Sequence, residues 1–200
     1  SEEAVTLSPF TVSADSDVGW VARDSLAGTR LNTSLKDTAA SLSVMTKEFM
    51  DDIGATSVAD AMAWSTNTQL TNGDVLGLAS SSDDVNSTFF NFDSFRIRGI
   101  GATQTKNYFD WALPSDTYNS DRIEEARGPN SILFGIGSAG GVVNSSTKRA
   151  NLQRDTRSAT VGISSFGGYR GTIDLNQRYG RKLAVRFNGV YSRTEGERNF

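Results

Sequence analysis

Between residues 158 and 192 the chain alternates in three long runs, "SATVGISSF", "YRGTIDLNQRY" and "LAVRFNGVYS", broken by "GG" and "GRK". Neighbouring side chains on an extended strand point to opposite sides, so parity sorts each run into two faces. One face carries Ala159, Val161, Ile163, Tyr169, Gly171, Ile173, Leu175, Leu183, Val185, Phe187, Gly189 and Tyr191, none of them charged. The other is polar and holds Arg170, Asp174, Arg178 and Arg186. Two architectures satisfy this pattern. An ordinary half-buried sheet turns its apolar face to a core and its polar face to water. A transmembrane β-barrel does the reverse, with apolar residues to lipid and polar ones to the lumen. A lipid-facing Arg or Lys near the midplane costs about 2–4 kcal/mol, which would account for the charge-free face. Runs of about ten residues also match a tilted membrane strand. Three strands cannot close, and an open edge has no place in lipid. A barrel would therefore continue past Phe200, and the chain is expected to be truncated there. Alternation alone leaves both architectures open.

Composition narrows the function classes. The net charge of −3 over 200 residues argues against nucleic acid as a partner. No run of 18 apolar residues marks a membrane helix. There is no cysteine, so no disulfide and no thiolate metal site. There is no histidine either, which removes the commonest general base and metal ligand. No catalytic residue, cofactor or metal site is expected, and the chain does not read as an enzyme.

Upstream of the alternating runs the texture is mixed. Residues 1–32 show little periodicity and read as a flexible segment that becomes a strand on a partner. "SLSVMT" alternates as a strand, and "KEFMDDIG" reads as a short helix ended by Gly54. In "SVADAMAW", Ser57 and Asp60 have capping-box spacing, and Val58, Ala61 and Met62 share a helical face. "FRIRGI" reads as one strand, with Phe95 and Ile97 opposite Arg96 and Arg98. "QTKNYFDWALPSDTYNS" reads as a polar-aromatic loop with a short strand near Tyr108. "DRIEEARGP" and "GGVVNSST" read as strands.

Gly135, Gly137 and Gly140 in "GIGSAGG" fulfil the G-x-G-x-x-G fingerprint of dinucleotide-binding folds. That fingerprint requires a helix after the glycines, whose N-terminus holds the pyrophosphate. Here Val142, Val143 and Thr147 follow, and β-branched residues favour a strand. The run reads instead as a glycine turn allowing positive φ and close backbone approach.

"DRIEEARGPNSILFGIGSAGGVVNSSTK" resembles the plug-domain signature of TonB-dependent outer-membrane receptors. "FRIRGI" is similar to the family's upstream Arg-Gly strand, and "SLSVMTKEFMDDIGATSVADAM" to its opening strand and two helices. The resemblance spans residues 7 to 150. It implies an α+β plug domain, a small mixed sheet with short helices, followed by the first antiparallel strands of a transmembrane barrel of about 22 strands. The implied boundaries are an N-terminal segment over 1–32, a plug over 33–150 and barrel strands over 151–200. The implied function is energy-coupled uptake of a scarce extracellular ligand of the iron-siderophore, cobalamin or glycan class, with the plug gating the barrel. The implied site is the outer membrane of a Gram-negative bacterium. The implied partners are the periplasmic C-terminal domain of TonB, the extracellular small-molecule or oligomeric ligand and outer-membrane lipid. A soluble periplasmic binding or signalling module built on a plug-like domain is the alternative.

The resemblance also assigns residues. Leu7, Ser8, Pro9, Phe10, Thr11, Val12, Ser13 and Ala14 match the energy-coupling TonB box, which faces the periplasm. Such a segment can add a strand to a partner's sheet edge. Arg98 and Arg127 match plug arginines that pair with barrel-wall glutamates, with Glu124 and Glu125 as local partners. Gly128, Gly135, Gly140 and Gly141 form the plug turn. Trp111, Asp116 and Tyr118, then Phe89, Phe90 and Phe92, stand where plug loops meet the ligand; the aromatics serve equally well as packing against the barrel wall.

Overall fold

The computed structural model describes residues 17–25, 33–37, 41–71, 94–111, 113–128, 138–164 and 167–193. The chain divides into two units, Ser1–Thr147 and Lys148–Phe200.

The first unit opens with a two-stranded ribbon, β1 (Asp24–Ser25) against β2 (Thr33–Ser34). Then come β3 (Ser41–Thr46), α1 (Lys47–Asp52), α2 (Val58–Met62), β4 (Thr68–Thr71), β5 (Ser94–Ile97), β6 (Ile100–Lys106), β7 (Phe109–Asp110), β8 (Ser120–Arg127) and β9 (Gly141–Thr147). The sheet runs β3-β8-β9-β6-β5-β4, with β7 added to β6. Among the described residues only β6 and β9 pair in parallel, so the sheet is mixed. Both helices are short and depend on their caps. Thr46 accepts the Phe49 amide at 3.2 Å. Ser57 and Asp60 form the full capping box, and Gly54 follows α1 with φ +68°. Phe49 and Ala55 line a core of Met45, Met50, Val58, Ala61, Met62, Phe95, Ile97, Ile123 and Val143. Each large side chain there contributes about 1.5–3 kcal/mol by burial.

Two sequence expectations change. "FRIRGI" is two strands joined by a hairpin turn, because Ile97 pairs with Ile100 and Arg98 and Gly99 take φ +54° and +81°. Consecutive positive φ values make a tight turn whose twist suits a hairpin. Gln104, Thr105 and Lys106, expected in a loop, complete β6. Asn107 and Tyr108, at φ +52° and +65°, then turn the chain into β7.

Strand β8 lies between β3 and β9 and is buried almost throughout. Its parity gives the sheet two different sides. Ile123 faces the core beneath the helices. Arg122 and Glu124 face the other way, where residues 17–25 lie.

The second unit is an antiparallel meander of β10 (Thr156–Ile163), β11 (Tyr169–Tyr179) and β12 (Leu183–Arg193). Its register pairs Ala159 with Ile173 and Ile173 with Gly189, which assembles the expected apolar face. That face is open: Val161 is 79% and Phe187 60% exposed. On the polar side Asp174 is 8% and Asn176 1% exposed. Arg186 and Lys148 both reach Asp174, at 2.7 and 2.8 Å. Asn176 receives the Asn151 amide at 2.9 Å and donates to the carbonyls of Asn151 and Arg154. The two long strands have 11 residues each, enough to cross a bilayer at a tilt. The charge-free face and the strand length match a membrane barrel wall.

Candidate functional site

The main sheet of the first unit has two ends. Thr46, Lys106, Ser120 and Thr147 mark one; Ser41, Ile100, Arg127 and Gly141 mark the other. Three polar arrangements occupy them.

The first surrounds Arg122, which is 1% exposed although it carries a full charge. Its guanidinium meets Asp17 at 2.8 Å, Asp24 at 3.3 Å and Glu124 at 3.8 Å, and donates to the Asp24 carbonyl at 2.8 Å. Ser25 donates to Glu124 at 2.8 Å, and the Tyr108 hydroxyl donates to the same carboxylate. Burial and the facing Glu124 push the Tyr108 hydroxyl far up, so it stays a proton donor. Burial also raises Asp17 above the ordinary carboxylate value; Arg122 and the Arg23 amide oppose the shift, and Asp24 adds to it. A buried guanidinium needs such partners, since an unpaired one is strongly destabilising. The neighbouring Trp20 indole donates to Asp52 at 2.7 Å and meets Phe49 edge-on at 5.2 Å between centroids. Thr46 donates to the Gly19 carbonyl at 2.8 Å.

The second arrangement lies at the other end of β8. Arg127 pairs with buried Glu125 at 2.7 Å, and Ser65 and Thr68 also donate to that carboxylate. Of the two local partners expected, Glu125 serves Arg127, while Glu124 serves Arg122. Arg98 is exposed in the β5–β6 turn at this same end, with its amide on the Asn67 carbonyl at 2.8 Å.

The third is the glycine turn. The Gly128 amide donates to the Gly140 carbonyl at 3.0 Å, closing the connection from β8 to β9. A Cβ on Gly140 would fall 2.4 Å from the Gly101 carbonyl oxygen, and one on Gly141 2.2 Å from that of Ala126. These positions need glycine because backbone passes where a side chain would begin. Gly135 lies outside the described residues.

Trp111, Asp116 and Tyr118 are spread along the 107–120 segment. The Trp111 amide pairs back to the Gln104 carbonyl at 3.1 Å, with Lys106 5.1 Å over its ring. Asp116 bridges to Ser57 near the start of α2, and its carboxylate accepts the Tyr118 amide at 2.8 Å. Phe89, Phe90 and Phe92 lie outside the described residues, as do Leu7 to Ala14. Among the described residues no cluster of carboxylates is disposed to hold a metal ion.

Sequence reasoning passed over Arg122, Asp17, Asp24 and Tyr108. The signal available was "DRIEEAR", which places charge on both faces of one strand. A central strand tolerates that only when each charge is paired.

A mixed sheet with two capped helices, followed by a meander with its apolar face outward, defines a globular domain joined to the opening strands of a membrane barrel. The chain belongs to the TonB-dependent receptor plug family: the TonB-dependent Receptor Plug Domain matches residues 34–142, more than half of the sequence. It is 28% identical over 174 residues to the catecholate siderophore receptor Fiu of Escherichia coli K12, covering 84% of this chain and 21% of that protein. It is 27% identical over 213 residues to the metal-pseudopaline receptor CntO of Pseudomonas aeruginosa, covering 100% of this chain and 28% of that one. The ferripyoverdine receptor of the outer membrane of Pseudomonas aeruginosa shares the fold, with a TM-score of 0.73 at 18% identity over 91% of this chain and 24% of that chain. The chain thus spans between a fifth and a third of the length of these relatives.

Proposed function

We propose that this chain is the N-terminal part of an outer-membrane receptor that takes up a scarce extracellular ligand, of the ferric siderophore class, with energy delivered by TonB. The observation that carries the reading is the pairing of the two units. A plug sheet runs at Thr147 into strands with an exposed, charge-free apolar face and a polar face that carries the buried Asp174 and Asn176. The relatives are by name receptors for siderophores and a metal chelate, which supports the ligand class.

In this reading Leu7 to Ala14 lie in the periplasm and add a strand to the sheet edge of TonB. Backbone bonds carry the affinity there. Arg98 and Arg127 face glutamates of the barrel wall. Phe89, Phe90, Phe92, Trp111, Asp116 and Tyr118 are the proposed ligand contacts; Asp116 already accepts the Tyr118 amide through one carboxylate oxygen. The test replaces Phe10 or Val12 with Pro in the full-length receptor, which removes a donor from the added strand. Uptake of a ferric chelate should be lost while surface binding stays normal. Unchanged uptake with normal binding would sink the assignment.

A further inference from the structure

We propose that the contact between residues 17–25 and the plug sheet is a releasable joint, built so that the charged groups of the sheet keep an oppositely charged neighbour when it opens. Its role as the first point to yield under a pull on residues 7–14 rests on the energy-coupled reading above.

A buried charged contact is ordinarily a poor place to separate two pieces of chain. Breaking it leaves the remaining charge uncompensated in a low dielectric. Here the two buried charges of the sheet keep each other. Arg122 exchanges its hydrogen bonds to Asp17, the Asp24 carboxylate and the Asp24 carbonyl for water, and keeps the opposite charge of Glu124, 3.8 Å away on its own strand. Glu124 loses the Ser25 hydroxyl but keeps Arg122 and the Tyr108 hydroxyl. Thr46 loses the Gly19 carbonyl but still accepts the Phe49 amide, so α1 keeps its cap. Asp52, exposed already, exchanges the Trp20 indole for water. The departing groups are Asp17, Asp24, Ser25 and Trp20, and hydration suits them.

Chain order fits the same device. Asp17 lies three residues past Ala14, so tension on the upstream segment reaches the Asp17–Arg122 contact before β1, β2 or the main sheet. Among the described residues β1 pairs only with β2, and no main-sheet ladder bond there resists the first step. Arg122 is therefore a positioning residue for the N-terminal segment.

The experiment uses the full-length receptor in outer-membrane vesicles, with a spin label on a cysteine replacing exposed Val21. The label's mobile fraction reports docking without requiring transport or a partner. Asp17→Ala with Asp24→Ala removes the departing acceptors. It should shift the docked-to-free ratio by about tenfold or more, the effect of losing charge-assisted hydrogen bonds. Asp17→Asn keeps an acceptor oxygen for Arg122 and should leave the label docked. The amount of folded receptor should match wild type in both, because Arg122 retains Glu124. An immobile label in the double alanine variant overturns the joint. So does loss of folded receptor in that variant, which would show that Glu124 alone cannot hold Arg122. If the label mobilises as expected but Val12→Pro leaves uptake intact, the joint stands and the energy-coupled reading fails.

Discussion

Substituting single glycines of the β8–β9 connection separates two reasons for needing glycine. At Gly128, φ is +84° and nothing lies within 4 Å of the place a Cβ would take, so Gly128→Ala meets only backbone strain. That strain is about 1–2 kcal/mol. At Gly141, φ is +141° and the new Cβ would also sit 2.2 Å from the Ala126 carbonyl oxygen and 3.0 Å from Ile97 Cδ1. Ala126 belongs to the strand that β9 pairs with, so relief requires β8 and β9 to part locally. Overpacking of about 1–3 kcal/mol and one or two lost ladder bonds of about 1 kcal/mol then add to the strain. Gly141→Ala should cost about 4 kcal/mol, a large share of the about 5–15 kcal/mol that holds a typical domain. Gly140→Ala has no positive φ but meets the Gly101 and Ile100 carbonyls at 2.4 and 2.5 Å, and should fall between the two. The assay is proteolysis of the plug in the full-length receptor across a urea series. With a urea slope of about 1–3 kcal/mol per molar, Gly141→Ala should lower the midpoint by about 2 M and Gly128→Ala by under about 1 M. A Gly141→Ala midpoint at or above that of Gly128→Ala would refute the close-approach argument.

Three further outcomes follow from the geometry. Phe187→Arg, on the exposed apolar face, should cost about 2–4 kcal/mol and reduce the heat-modifiable folded band on unboiled gels, whereas Thr172→Arg on the polar face should leave it nearly unchanged. Arg127→Met removes the cation from buried Glu125 and should destabilise the plug by about 2–3 kcal/mol, less than a fully buried pair because Ser65 and Thr68 still donate; adding Glu125→Gln should recover more than half, read as a thermal midpoint. The raised Asp17 carboxyl makes the docked segment bind a proton more tightly than the free one. Docking therefore strengthens below the ordinary carboxylate value and weakens as pH rises through the raised one, with Arg122, Asp24 and the Arg23 amide facing the group and Glu124 and Tyr108 behind Arg122. A Val21 label whose mobility falls with rising pH would contradict that sign.

Elements governed by local chemistry were legible in the sequence. The capping box of Ser57 and Asp60, the strands "SLSVMT" and "GGVVNSST", and the charge-free face of the meander all follow from spacing or parity. The hairpin at Arg98 was not legible, because Arg is a poor marker for positive φ and the glycine after it looked like a strand end. The Arg122 cluster was hidden for a different reason. Its partners stand 98 and 105 residues upstream, in a segment with no periodicity. Alternation could not choose between lipid and core either, since both bury one face. The choice needed the family match upstream, over residues 34–142, and the fold shared with outer-membrane receptors.

The Asn176 clamp has a consequence for how the barrel begins. Asn176 stands opposite Thr156, the first residue of β10, and its amide holds the turn that delivers the chain to that position. A slip of one residue would exchange the two faces of the strand. On β10 it would carry Val161 and Ile163 into the lumen and turn Thr160 toward the hydrocarbon. The clamp marks the starting point of the alignment with one side chain, independently of any lipid contact. The first strand thus joins the growing wall already counted against its neighbour, and an Asn176→Leu barrel would have to find that frame by trial.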